Sequence, residues 1–218
     1  MTTARDLTFI ATDVTAGHSV PQGNLSLALA GAEAIDLLSA DALTLDDERI
    51  VPGHHPTMAD PLLEQAASSL VREAPYETID DWLWRRGRAL STTYLAHLET
   101  EGLLRRERRG VSFRKDRIVL AESPERSAAA QRLASGEPVL AALAAAIEIV
   151  GAGRGEREGG GEGEGGAYDQ VTSNAPSVDD NGIDTVLAAV NGALMELEAM
   201  RQRRAIEQAA FDNIWRGN

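Results

Sequence analysis

The chain has 218 residues, no cysteine, and 34 acidic against 21 basic side chains, for a formal net charge of -13. That length suffices for one ordinary core, and the missing cysteine removes disulfides and thiolate metal sites together. Its apolar content leans on alanine and leucine, which favour helix over sheet.

The opening MTTARDLTFIATDV places acids and polar groups where a secretory leader needs an apolar run, and this end of the chain, with His18, reads as weakly structured. Residues 24–38, NLSLALAGAEAIDLL, are apolar nearly all round. They predict a central helix buried on most sides, capped by Asn24 or Ser26, with Ala28, Ala30 and Gly31 letting a neighbour approach. DALTLDDERIVPG at 41–53 alternates around an Asp-Asp turn and reads as a small hairpin. Asp60-Pro61 opens the next helix, whose inward face is Leu62, Leu63, Ala66, Ala67, Leu70 and Val71.

A further helix is expected from Thr78 to Arg86, carrying Ile79, Trp82 and Leu83 inward. The one opened by Ser91 buries Leu90, Tyr94, Leu95 and Leu98 and stops at Gly102, a left-handed cap. LLRRERRGVSFRKDRIVL then supplies short strands anchored by Val111, Phe113, Ile118 and Leu120, a basic hairpin at about 103–120. Two more helices follow at 124–134 and 138–150. The apolar run VLAALAAAIEIV within the second is too short to span a bilayer and contains Glu148, so a cytoplasmic protein is expected, with membrane association left open.

At 151–182 the composition turns to glycine and glutamate, which cannot bury enough apolar surface to offset ordering, and a disordered loop is expected. From 183 to 218 the stripe Ile183, Leu187, Val190, Leu194 and Leu197 predicts a closing helix that packs back on the 1–150 core. The fold class is thus mainly α, a single-domain helical bundle with one or two small β-hairpins.

Charge is unevenly spread. Arg85 to Arg117 holds ten basic residues against four acids, a balance of +6 that leaves -19 for the rest. Lysine occurs once, at Lys115, an arginine excess that compositional bias alone can produce. A basic island on an acidic body either seeks an anionic partner or pairs with its own carboxylates. The candidate contacts are Arg85, Arg86, Arg88, Arg105, Arg106, Arg108 and Arg109.

Catalysis has little support. His54-His55 lies between prolines without a third ligand at useful spacing, and no nucleophile elbow, Walker loop or dinucleotide fingerprint occurs. Glu33 and Asp36 can share a helix face, a spacing too common to argue acid–base work. No metal, cofactor or enzymatic activity is expected.

Helix, glycine cap, basic strand, turn and second strand is also the order of a winged helix, and TTYLAHLETEGLLRRERRG resembles the recognition helix and wing of bacterial regulators. The exposed positions of that helix are Thr92, Thr93, Ala96, His97 and Thr100, few of which reach base edges. Nucleic acid is a partner only under this alternative. Over a longer span, LALAGAEAIDLL, the hairpin, DPLLEQAASSLVRE, ETIDDWLWRRGR, YLAHLETEGLLRRERR and PERSAAAQRLAS together resemble the Golgi phosphoprotein 3 family, as a bacterial, actinobacterial-type member. The likeness covers about 24–150, and the closing helix fits the family's end.

That resemblance implies a mostly helical, non-enzymatic peripheral membrane or adaptor protein. Its eukaryotic members read phosphatidylinositol 4-phosphate in a basic pocket and bind the cytoplasmic tails of Golgi enzymes. The pocket's tryptophan and arginine around the first central helix correspond to Pro21 and Ala30, and its other arginines, which precede a turn matched by Glu101-Gly102, correspond to Ser91 and Arg88. Anionic lipid headgroups are then the expected partner. A protein partner and a homo-oligomer joined through the basic hairpin are further expectations.

Overall fold

The computed structural model describes residues 2–14, 20–54, 56–107, 117–152 and 178–216. In chain order these form α1 (Thr3–Val14), α2 (Gln22–Ser39), the strands β1 (Leu43–Asp46) and β2 (Arg49–Pro52), α3 (Pro61–Ser68), α4 (Ile79–Arg86) and α5 (Leu90–Thr100). The strands β3 (Leu104–Glu107) and β4 (Arg117–Leu120) follow, then α6 (Pro124–Ala134), α7 (Pro138–Ala152) and α8 (Val178–Arg216). Each strand pair is an antiparallel hairpin, so the fold is mainly helical with two small hairpins.

Helix α2 is the axis. Thirteen of its 18 residues are buried, as an all-round apolar sequence requires. Helix α8 lies antiparallel beside it: Gly182 faces Leu38, Gly31 faces Val186 and Val190, and Gly23 faces Leu197 and Arg201. A Cβ at position 31 would sit 2.3 Å from Val190 Cγ2, so glycine there sets how closely the two helices approach. From α4, Trp82 is fully buried and donates its Nε1–H to the α2 carbonyl of Ala30 at 3.0 Å.

Caps fix several boundaries. Asp60 accepts from the backbone N–H groups of Leu62 and Leu63 ahead of Pro61, and Thr78 and Ser123 cap α4 and α6 in the same way. Gly102, at φ 77°, closes α5 in the left-handed region. Two expected caps are corrected: α2 begins after Pro21, which places Asn24 and Ser26 inside the helix, and Ser91 is not a cap because α5 follows Ala89. Val71 lies beyond the end of α3 and is 38% exposed rather than inward-facing.

The N-terminal segment, expected to be weakly structured, is the helix α1, with Ala4, Leu7, Phe9, Ile10 and Ala11 buried. Its start is held from α2, where Asp36 accepts from the N–H groups of Thr3 and Ala4 at 3.0 and 3.2 Å. His18 lies outside the described residues. A smaller cluster of Phe9, Leu95, Leu98, Leu104, Leu120 and Ala129 seats the β3–β4 hairpin on α1, α5 and α6. Of the expected hairpin anchors, Leu120 is buried, Ile118 is 38% exposed, and Val111 and Phe113 lie outside the described residues. Helix α7 continues to Ala152 and α8 starts at Val178, five residues before the expected 183. The stretch between them, expected to be disordered, lies outside the described residues from 153 to 177.

Candidate functional site

The arginines that crowd one stretch of sequence go to different places. Successive helical residues point about 100° apart, so Arg85 and Arg86 leave α4 in different directions. Arg85 grips Glu77 through Nε and Nη2, at 3.0 and 2.6 Å, and donates Nη2–H to the Ser69 carbonyl. Its guanidinium stands 5.2 Å from the Trp82 ring centroid. Arg86 turns inward to the fully buried carboxylate of Glu33 on α2, with Nε–Oε2 at 2.7 Å and Nη2–Oε1 at 2.9 Å. Gln65 and the Leu62 carbonyl each accept a further N–H, and the Tyr94 hydroxyl donates to Glu33 Oε1 at 3.0 Å.

Burial pushes the Glu33 carboxyl above the usual carboxylate range, against the pull of Arg86 and Tyr94. The same burial, beside the Glu33 charge, holds the Tyr94 phenol well above its ordinary value. This is a closed polar knot inside the bundle. It satisfies its own charges and offers no open face to a substrate. Asp36, the other carboxylate of that helix, is occupied with capping α1.

Arg88 and Arg105 are different. Both are exposed, and neither has an ion pair with another described residue. Arg106 is on β3, while Arg108 and Arg109 lie outside the described residues. Arg88 occupies the three-residue turn between α4 and α5, and that turn rests on the first turns of α2. Gly87 packs there with no room for a side chain, since an added Cβ would come within 3.2 Å of the Ser26 carbonyl. Next to it Ser91 donates its hydroxyl to the Gln22 carbonyl, and Ser26 donates to Ser91 Oγ at 2.9 Å.

The same end of α2 receives Arg201 from α8, whose Nη1 donates to Asn24 Oδ1 and stands 3.5 Å from Glu198 Oε2, a longer pair than those of Arg85 and Arg86. Asn24 is fully buried, and its Nδ2 amide has no hydrogen-bond partner, a donor left over. Pro21 contributes no side-chain cap, so the first-turn N–H groups of this 18-residue helix also lack one. Two cations, an orphaned amide and a positive helix terminus therefore meet at one end of the bundle. Of the four positions singled out by resemblance, Pro21, Arg88 and Ser91 lie toward this end, whereas Ala30 is fully buried further along α2.

The opposite end of α2 has the opposite character. A cleft of about 1440 Å³ opens between the β1–β2 hairpin and α8, past Leu38 and Ser39. Asp41, Asp46, Asp47, Glu48, Asp80 and Glu196 line it, against Arg49 as the one cation among the described lining residues. Along α2 the two ends stand about 21 Å apart. The cations Arg88 and Arg201 lie by the start of α2 and these carboxylates by its end.

Sequence reasoning singled out the arginine run but missed Arg201 and the Asn24 amide. Asn24 had been assigned to a cap, and Arg201 is 177 residues away in the chain. The helix–turn–helix order of a winged fold is present in α4, α5 and the β3–β4 hairpin. The exposed face of α5, however, presents Thr92, Thr93, Ala96, Glu99 and Thr100, which offers a duplex no cation. Among the described residues no group of His, Asp and Glu could hold a metal ion, and no helix is long and apolar enough to cross a membrane.

The sequence model of a family described as Golgi phosphoprotein 3 matches residues 4–161. No curated protein matches the chain.

Proposed function

The chain belongs to the Golgi phosphoprotein 3 family, and from that premise we propose that it is a non-enzymatic peripheral membrane or adaptor protein that binds anionic phospholipid headgroups. The observation that carries this reading is that exposed Arg88 and partly exposed Arg201 lie by the uncapped start of α2 at one end of the bundle. A phosphate accepts from such donors, and each cation held near an anionic leaflet contributes about 1 kcal/mol. Arg105 and the remaining hairpin arginines add to the attraction. The acidic cleft at the far end of α2 turns the molecule so that its basic end meets the surface.

Arg85 and Arg86 are weaker candidates than their place in the sequence implies, because Glu77 and Glu33 already neutralise them. The four oxygens of those carboxylates compete with any lipid phosphate. On this reading headgroup selectivity belongs to the start of α2 rather than to α4.

Co-sedimentation with vesicles tests the reading. Recovery should be greater with anionic than with neutral phosphatidylcholine vesicles, should fall as salt rises, and should drop for Arg88→Glu. Equal recovery with both vesicle types ends the proposal.

A further inference from the structure

Helix α8 runs on past the start of α2. Gly23, in the first turn of α2, faces Leu197 and Arg201, and every α8 side chain from Gln202 to Phe211 is exposed. The 15 residues from 202 to 216 carry the helix about 22 Å beyond that level. This arm lies outside the family match at 4–161.

The arm limits how the basic end of the bundle meets a membrane. Arg88 is level with the first turns of α2, because its neighbours Gly87 and Ser91 pack on Ser26 and Gln22. A bilayer that met this end square on would have to take in the arm before Arg88 reached a phosphate. Hydrocarbon resists that entry, since Arg203, Arg204 and Glu207 all lie on the arm and are costly there. A surface that touches Arg88 therefore also rests against the arm, and the bundle tilts.

The tilt selects one face of the arm. Helix positions seven apart fall about 20° apart, so Arg204 and Phe211 continue the row of Leu197, which faces α2. Gln208 falls about 20° to the other side and Arg201 about 40°, whereas Glu207 and Arg203 point about 80° and 120° away. Among the described side chains, the face turned toward Arg88 thus offers two guanidiniums, an amide and a phenyl ring with 61% exposure, and no carboxylate. Cations for phosphates beside a ring at the headgroup boundary suit an anionic lipid surface. A partner helix needs a continuous apolar seam, which Arg204 interrupts.

We propose that the free end of α8 is a second membrane contact, with Arg204 and Phe211 against anionic headgroups while Arg88 touches the same surface. The bundle then binds tilted rather than end-on. This contact rests on the headgroup reading above and adds to it a face of α8 and a posture.

The full chain with phosphatidylcholine vesicles, with and without phosphatidylserine, tests this. Arg203 and Arg204 carry the same charge and are both exposed, but only Arg204 faces the side of Arg88. At low salt Arg204→Ala should weaken binding roughly fivefold and Arg203→Ala less than about twofold. The chain has no cysteine, so an environment-sensitive dye is readily placed at Gln208→Cys or, in the acidic cleft, at Asp47→Cys. Emission from position 208 should shift to the blue on anionic vesicles, and emission from position 47 should not. Circular dichroism checks that each variant is folded. A wild type that binds both vesicle types equally overturns the headgroup reading, and the tilted contact with it. Preference for anionic vesicles with equal losses at 203 and 204, or with no shift at 208, overturns the tilted contact alone.

Discussion

Arg86 and Arg88 are two residues apart and have opposite roles. Arg86 lies at the end of α4 with 11% of its side chain exposed, held by a buried carboxylate, a glutamine and a backbone carbonyl. Arg88 lies in the turn and faces solvent with no described partner. One keeps Glu33 tolerable in the interior, and the other leaves the protein with charge to offer. A dense run of one charge in a sequence is therefore no measure of a charged surface. The helical rotation sorts it, and the carboxylates within reach decide what remains.

The largest break in that contrast is Arg86→Ala. It strands the Glu33 carboxylate without its cation, and a loss of about 3–5 kcal/mol is expected in urea unfolding. Arg88→Ala should change stability by no more than about 0.5 kcal/mol. Tyr94→Phe comes next: it removes the hydroxyl that donates to Glu33, at about 1.5–3 kcal/mol by the same measurement. On the surface side, Arg88→Ala should weaken binding to anionic vesicles by about 1 kcal/mol, roughly fivefold, in titrations at low salt.

The smallest effect is in pH. Burial raises the Glu33, Asp6 and Asp36 carboxyls above their ordinary values, so the folded state holds their protons more tightly than the unfolded chain. Their contribution to stability therefore falls as pH rises from the ordinary carboxylate range through the folded values. Unfolding midpoints should hold or rise on acidification from pH 7 to about pH 5, and Glu33→Gln should flatten that slope.

Where the chain caps its own helices locally, the sequence was readable to the residue. Helix α6 starts at Pro124 behind the Ser123 cap and ends at Ala134 before Gly136, and α3 starts at Pro61 behind Asp60. Helix α1 was not readable, because its buried face carries Asp6 and Thr8 among the apolar residues, which blurs the period. Asp6 is tolerable there because Arg132 of α6 pairs with it, a contact 126 residues away. The candidate site divides in the same way. Arg88 could be named from composition, but Arg201 and the spare Asn24 amide come together only when α8 lies along α2.

Asp36 also joins the start of one helix to the last turns of the next. Thr2 caps the first turn of α1 locally by accepting from Arg5 N–H, whereas the Thr3 and Ala4 N–H groups are taken by a residue about 33 positions further along the chain. The cap set is complete only once α2 packs against α1. Local contacts form faster than contacts of that span, so the two kinds of cap divide one helix start between a quick bond and a slow one.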